Sequence, residues 1–430
     1  MVGMINKLLY IVLDGAADGL NPPKSSLGTA YKPNIDKLAR SARCGLVYTV
    51  GKGIAPESDE AVISILGYDP HKYYTGRGPL EAVGAGVSFR EGEVALRSDM
   101  ATVDPTTMRI IDRRAGRNVT DEEGAELAKA IDGMRLDNGH GLARFVHTVA
   151  HRGVLVLSHD EVKLSANISN TDPAYEREGL ISKAKPSFEP FVQRSRPLDP
   201  SDRGAVKAAE LLNEFTERAT KVLDSHPVNE ARRRAGKLPA NAILSRDAGD
   251  RLPNAPAISR VFGLNFASVT EMPVERGIAI TFGLNDLHYE REGKSLEQVL
   301  SEEADLVINS LDKYDAFYVH LKGPDEPGHD GNYEAKRASI EAIDKFFFSR
   351  LLSHIDLSNV LIIVTSDHAT PWYLKSHSDD PVPIMFSNTS IRESYEKFDE
   401  AACSKGSLGI IESGTKIVPT ALSIMKGLQS

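Results

Sequence analysis

Cysteine is nearly absent from this chain of 430 residues, which holds only Cys44 and Cys403. Two thiols cannot form a disulfide scaffold or a Cys-based zinc ribbon, and they point to the reducing cytosol. Long apolar runs are missing as well. Leu8–Leu13 stops at Asp14, and no stretch approaches the ~18 apolar residues that span a bilayer, so a membrane role is not expected. The opening Met1–Lys7 lacks the pattern of a signal peptide. Excess positive charge is missing too: 51 Lys and Arg against 60 Asp and Glu give a net charge of −9. That excludes a nucleic-acid protein with a wholly basic surface, and it leaves room for a local basic pocket. The first strand candidate runs into Asp14-Gly15-Ala16-Ala17-Asp18-Gly19 without the Gly-x-Gly-x-x-Gly turn, which argues against a dinucleotide enzyme. There is no fixed-period repeat and no low-complexity tract.

The residues present describe an ordinary globular chain, 41% hydrophobic and 26% charged. At roughly 150 residues per domain, the length predicts two or three domains, or one large α/β domain carrying an insertion. Leu8–Leu13, Cys44–Val50, Ala316–Leu321, Val360–Thr365 and Pro383–Phe386 read as short strands. Continuous apolar runs of this length suit strands buried on both faces of a parallel sheet. Helical spacing occupies Pro33–Ala39, Ser58–Leu66 and Tyr333–Leu352, with Ser58 at or near an N-cap. The middle of the chain differs. It holds the Arg-rich, loop-like run Arg109–Arg117, a strand at Val154–Leu157, proline-broken loops and a long helix from about Gly204 to Leu223. The expected fold is therefore α/β, with a mainly parallel sheet and helices on both faces, interrupted by an inserted α+β domain. The expected boundaries are 1–85 with 252–430 for the discontinuous main domain, and 86–251 for the insert.

Hard metal-ligand types recur where these strands end. Asp14 follows Leu8–Leu13, Asp325 and His329 follow Ala316–Leu321, and Asp367 and His368 follow Val360–Thr365, with His377 close behind. Taken singly, each is ordinary. An Asp after a strand is usually a turn residue, and a Ser opening a helix is usually a cap. Pro327-Gly328 between Asp325 and His329 favours a loop over a helix there. The joint pattern is more specific, because ligands in open α/β sheets gather beyond the carboxyl ends of the strands. Asp and His together suit Zn²⁺ or Mn²⁺, with Co²⁺ and Mg²⁺ also admitted, and six ligands suggest two ions. A two-metal site can activate one oxygen nucleophile and stabilise charge on a displaced oxygen, and Ser58 supplies such an oxygen.

The order Asp14, Ser58, Asp325-x-x-x-His329, Asp367-His368, His377 resembles the two-metal site of the alkaline phosphatase superfamily. Four further strings resemble the archaeal-type 2,3-bisphosphoglycerate-independent phosphoglycerate mutases: Tyr74-Thr75-Gly76-Arg77-Gly78-Pro79, Ile111-Asp112-Arg113-Arg114-Ala115-Gly116-Arg117, Asn170-Thr171-Asp172-Pro173 and His320-Leu321-Lys322-Gly323-Pro324-Asp325. The resemblance runs over essentially the whole chain and implies an alkaline-phosphatase-like core. It implies one ion held by Asp14, Ser58, Asp367 and His368, and another held by Asp325, His329 and His377. Ser58 would be the phosphoryl acceptor, and no 2,3-bisphosphoglycerate would be needed. Two departures stand out: Glu57 precedes Ser58 where the family has Gly, and Ser158-His159 stands where an Arg is expected.

The activity so implied is the glycolytic and gluconeogenic interconversion of 3-phosphoglycerate and 2-phosphoglycerate through a phosphoserine, in the cytoplasm. Two domains closing on the substrate would keep water from that phosphoserine. Arg113, Arg114 and Arg117 are candidate clamps for carboxylate or phosphate, with Arg246 and Lys322 as further candidates. Asp112 or His151 would act as general acid or base on the glycerate hydroxyls. The rival readings are a phosphatase, phosphodiesterase or sulfatase on the same metal site, and a metal-binding protein without catalysis.

Overall fold

The computed structural model describes residues 5–289, 291 and 293–429. Met1–Met4, part of the stretch read as lacking a leader, lie outside the described residues. The chain divides into two compact units, Met1–Tyr73 with Ala255–Ser430, and Tyr74–Asn254. The first crossing thus falls earlier than the expected residue 85. Helix Arg77–Gly84 accounts for the difference: its Ala82 packs with Ala95, Val154 and Val156 of the second unit.

Unit 1 is built on an eight-stranded sheet. In spatial order the strands are Asn285–Asp286, Phe266–Thr270, Ala316–Leu321, Lys7–Leu13, Val360–Thr365, Val382–Ser387, Ala42–Val47 and Ile410–Ile411. Only Val382–Ser387 runs antiparallel to its neighbours. The three central strands carry the site and are called β1 (Lys7–Leu13), β2 (Ala316–Leu321) and β3 (Val360–Thr365). All six residues of β2 and of β3 are buried, as are the last six of β1. Buried on both faces, these strands have no solvent side, which is why Leu8–Leu13 and Val360–Val364 read as unbroken apolar runs and only His320 interrupts β2. The registers Leu13↔Leu321 and Val12↔Thr365 bring the three carboxyl ends to one edge. The second strand in the chain lies at Ala42–Val47, short of the Val50 expected; Tyr48 N–H makes a last bond to the Ile411 carbonyl before the chain turns into the loop ahead of Ser58.

Two short helices complete this edge: α1 (Ser58–Ile65) and α2 (Asp325–Asp330). Glu57, in extended backbone, is the N-cap of α1, and Ser58 is the first helical residue. Asp59 and Glu60 in the first turn complement the helix dipole. The Asp325–His329 segment is helical, contrary to the loop expected from Pro327-Gly328. Pro327 sits in the first turn, where its missing N–H would have no intrahelical acceptor, and Gly331 ends the helix at φ 72°. Asp325 and His329 therefore share one helical face.

Unit 2 holds an antiparallel sheet in the order Ala242–Gly249, Val94–Val103, Arg152–His159, Gly141–His147, Met134–Leu136. Helix Arg203–Asp224, capped by Asp202, buries Ala205, Ala208, Leu212, Phe215, Ala219 and Leu223 at helical spacing in the same core as Leu155 and Ile243 of the sheet. Each large side chain so buried contributes about 1.5–3 kcal/mol. The Arg109–Arg117 run is not wholly a loop: Ile110–Asp112 pairs with Val94–Val103, and a 3₁₀ turn spans Ala115–Arg117.

Among the carboxyls that unit 1 buries is that of Glu303. Tyr289 donates its hydroxyl to Glu303 Oε1 at 2.5 Å, while Glu303 Oε2 has no hydrogen-bond partner among the described residues. Burial, together with the neighbouring charge of Glu271, raises the Glu303 carboxyl to about 8 against the pull of Tyr289 and Arg291. The folded protein then keeps a proton that the unfolded chain releases above about pH 4.5, so this group's stabilisation fades as pH rises toward 8. Glu303→Gln should flatten that slope. Urea midpoints measured from pH 5 to 8.5 should show the variant gaining more than about 1 kcal/mol on the wild type at the alkaline end. Parallel profiles would contradict this.

Candidate active site

Three carboxylates and four imidazoles meet at the carboxyl edge of β1, β2 and β3. Asp14 leaves β1 with its N–H bonded to the Leu321 carbonyl at 3.0 Å. Gly15 follows at φ 59° and donates its N–H to Asp367 Oδ1 at 3.0 Å. A Cβ at Gly15 would stand 2.6 Å from Asp325 Oδ1 and 2.7 Å from Thr370 Oγ1, so glycine is required both by conformation and by space.

His368 Nε2 lies 3.5 Å from Asp14 Oδ1, 3.2 Å from Asp367 Oδ2 and 3.1 Å from Ser58 Oγ. On the other side of the two carboxylates, His320 Nε2 lies 3.8 Å from Asp14 Oδ1 and 3.6 Å from Asp367 Oδ2. His329 Nε2 and His377 Nε2 lie 3.4 and 3.6 Å from Asp325 Oδ1. Two triads bring their ligand atoms within 4.8 Å of one another: Asp14, His320 and Asp367 in one, and Asp325, His368 and His377 in the other.

The donor chemistry fits divalent cations. Asp14 Oδ1, Asp367 Oδ2 and His320 Nε2 are buried with no hydrogen-bond partner among the described residues, although they face one another. His377 Nδ1 meets the Pro56 carbonyl at 2.7 Å, and His329 Nδ1 meets the Lys375 carbonyl at 3.3 Å. Carbonyl oxygen only accepts, so each Nδ1 carries a proton and each Nε2 of the neutral ring presents a lone pair. These two Nε2 atoms face each other at 3.1 Å. Opposed lone pairs at that distance repel unless a cation or a proton lies between them. The local field agrees: burial alone would depress His368, but Asp367, Asp325 and Asp14 outweigh it and lift the imidazole to about 9. Burial alone would raise the Asp14 carboxyl, yet Lys322 and His320 hold it well below the usual carboxylate range.

Lys322, read from sequence as a substrate contact, is engaged with protein carboxylates. Its Nζ lies 2.7 Å from Asp14 Oδ2 and 2.6 Å from Oε1 of Glu275 on helix Pro273–Thr281. Glu57 is exposed and makes no side-chain cap bond, so the departure beside Ser58 lies at the surface.

Unit 2 gathers a cationic cluster of its own. Arg113 grips Asp172 with two parallel bonds, of 3.0 and 2.5 Å, and lies 5.1 Å from the Tyr175 ring centre. Arg246 is buried 4.0 Å over the same ring, 3.6 Å from Asp99 and 3.5 Å from Asp247, and its Nε has no hydrogen-bond partner among the described residues. His151 Nε2 lies 3.8 Å from Asp99 Oδ1. Burial lowers this imidazole to about 4 despite Asp99, so it is neutral at pH 7. Burial would raise Asp99, but Arg97 and Arg246 outweigh it and bring the carboxyl down to about 2. Arg114 is half-buried, and Arg117 is exposed. Asp112 accepts the Arg114 N–H at 2.7 Å, which makes it a turn carboxylate; His151 has the buried acidic partner.

A family model described as 2,3-bisphosphoglycerate-independent phosphoglycerate mutase matches residues 39–229. A protein of that name from Aeropyrum pernix is 54% identical over 425 residues, which cover 98% of this chain and 100% of the relative. The chain belongs to the 2,3-bisphosphoglycerate-independent phosphoglycerate mutase family. Two solved structures agree in fold. The cofactor-independent phosphoglycerate mutase of Thermoplasma acidophilum aligns at TM-score 0.61 and 30% identity, over 98% of this chain and 100% of that one. The PH0037 protein of Pyrococcus horikoshii aligns at TM-score 0.75 and 28% identity, over 98% and 97%.

Within this mutase fold, sequence reasoning passed over Arg97, Asp99, His320, Glu275 and Thr370. Arg97 and Asp99 had a signal, since both interrupt the otherwise uncharged strand Val94–Val103 at alternate positions. His320 had one as well, an imidazole inside a strand buried on both faces. Glu275 meets Lys322 only through a tertiary contact, and Thr370 joins its neighbour His368 to the distant Asp325. Among the described residues, no helix is long and apolar enough to cross a membrane.

Proposed function

We propose that this isomerase interconverts 3-phosphoglycerate and 2-phosphoglycerate through a phosphoserine on Ser58, at a site for two divalent ions and without bound 2,3-bisphosphoglycerate. The observation that carries the reading is the meeting of Ser58 Oγ with His368, Asp14 and Asp367 at one sheet edge, in a member of the mutase family. Asp14, Asp367 and His368 would hold one ion beside Ser58, with His320 Nε2 facing the same carboxylates. Asp325, His329 and His377 would hold the other. Bound ions would lower the pKa of an attacking hydroxyl and offset the charge on the phosphoryl oxygens.

The chain's own groups do the rest. Ser58 opens α1, so its Oγ stands at a helix N-terminus, where the helix dipole favours a phosphate. Ser58 gives up its hydroxyl proton and an Oγ–P bond forms as the bond from phosphorus to the substrate's 3-oxygen breaks, that oxygen taking up one proton in exchange. The 2-hydroxyl then gives up its proton and attacks phosphorus, the Oγ–P bond breaks, and Ser58 Oγ is reprotonated. Lys322, between Glu275 and Asp14, holds Asp14 in its charged form. In unit 2, Arg246, Arg113, Arg114 and Arg117 would bind the anionic groups of the substrate, and His151 beside Asp99 would exchange protons with the glycerate hydroxyls. We place the enzyme in the cytoplasm, in glycolysis and gluconeogenesis, where phosphoglycerates are made and consumed.

The direct test is product analysis. The metal-loaded protein supplied with 3-phosphoglycerate should yield 2-phosphoglycerate with little free phosphate. Phosphate as the main product would make it a phosphatase.

A further inference from the structure

Thr370 lies two residues beyond His368, fully buried, and its one hydroxyl touches both groups of ligands. It lies 2.7 Å from Asp325 Oδ1 and 3.0 Å from His368 Nδ1. A hydroxyl has one proton to give, and an ionised carboxylate can only accept. The proton therefore goes to Asp325, and the hydroxyl lone pair must receive the Nδ1–H of His368. The imidazole is then left with Nε2 facing Ser58, Asp14 and Asp367. The hydroxyl cannot drift. The Thr370 N–H is bonded to the Ala17 carbonyl at 3.0 Å, and its own carbonyl accepts from the buried Lys336 at 2.7 Å. Lys336 is in turn held by Asp18 at 2.7 Å, and the hydroxyl occupies space that a Cβ at Gly15 would invade to 2.7 Å.

We propose that Thr370 is a positioning residue that ties the two ion sites together. It sets the ligating tautomer of His368 in one site and the orientation of Asp325 in the other. This rests on the two-metal reading above. Ligands outside the coordination shell of this kind typically change affinity by a factor of 10–100 when removed. Thr370→Val keeps the shape and removes both bonds; Thr370→Ser keeps the hydroxyl.

The test is Mn²⁺ binding to metal-stripped protein, by competition with a chromophoric chelator, alongside urea denaturation of each stripped variant. Thr370→Val is expected to weaken both ions roughly 10- to 100-fold. Thr370→Ser is expected to stay within about threefold of the wild type, well inside that range. Wild-type affinity in Thr370→Val, weakening of one ion alone, or an equal loss in Thr370→Ser would each overturn the proposal; the last would assign the effect to packing. A wild-type protein that binds no Mn²⁺, Zn²⁺, Co²⁺ or Mg²⁺ would overturn the two-metal reading itself.

Discussion

Replacing Ser58 with alanine is expected to lower mutase turnover by roughly three orders of magnitude or more, because a nucleophile acts as one unit with the groups around it. The fold should scarcely notice. Ser58 is the first residue of α1 and not its cap, its side chain is only partly buried, and alanine is the best helix former. The metal-loaded variant's urea midpoint should therefore stay within about 0.5 kcal/mol of the wild type in stability. Acid quenching during turnover should trap phosphate on the wild-type chain and none on the variant. Retained turnover would remove Ser58 from the mechanism, and trapped phosphate on the variant would move the acceptor elsewhere.

Stripping divalent ions should abolish activity, and adding them back should restore it. Three carboxylates and the facing lone pairs of His329 and His377 are arranged around positive charge that protein groups supply only in part. Lys322 lies on Asp14 without any ion present, so the stripped protein should remain folded but less stable. Ions bound at a hundred times their dissociation constant add about 2.7 kcal/mol each, a shift easily read in denaturation with and without chelator. Full activity after complete removal would refute the two-metal reading.

Much of the site edge was legible because strands buried on both faces must be continuously apolar. The first polar residue after such a run marks where the sheet stops, and at β1 that residue is Asp14. α2 was not legible. Local rules for Pro327-Gly328 favour a loop, and only its placement in a first helical turn removes the conflict. Nor was the pairing of Asp99 with His151. The two sit on segments joined by cross-strand register, which no local spacing encodes. Lys322 was read from its place beside the metal ligands, and its two carboxylate partners come from distant parts of the chain.

The central position of β1 sets an order of events during synthesis. Its partners on either side, Ala316–Leu321 and Val360–Thr365, are made some three hundred residues later. Until then this strand lacks both of its neighbours in the sheet, whereas the sheet of unit 2 draws on strands within Tyr74–Asn254. Pairings this distant are slow to form, since loop closure must precede any reward. A nascent chain halted before Val360 would carry Ser58 and Asp14 but no third central strand to align them, so catalysis should begin only when the last third of the polypeptide has emerged.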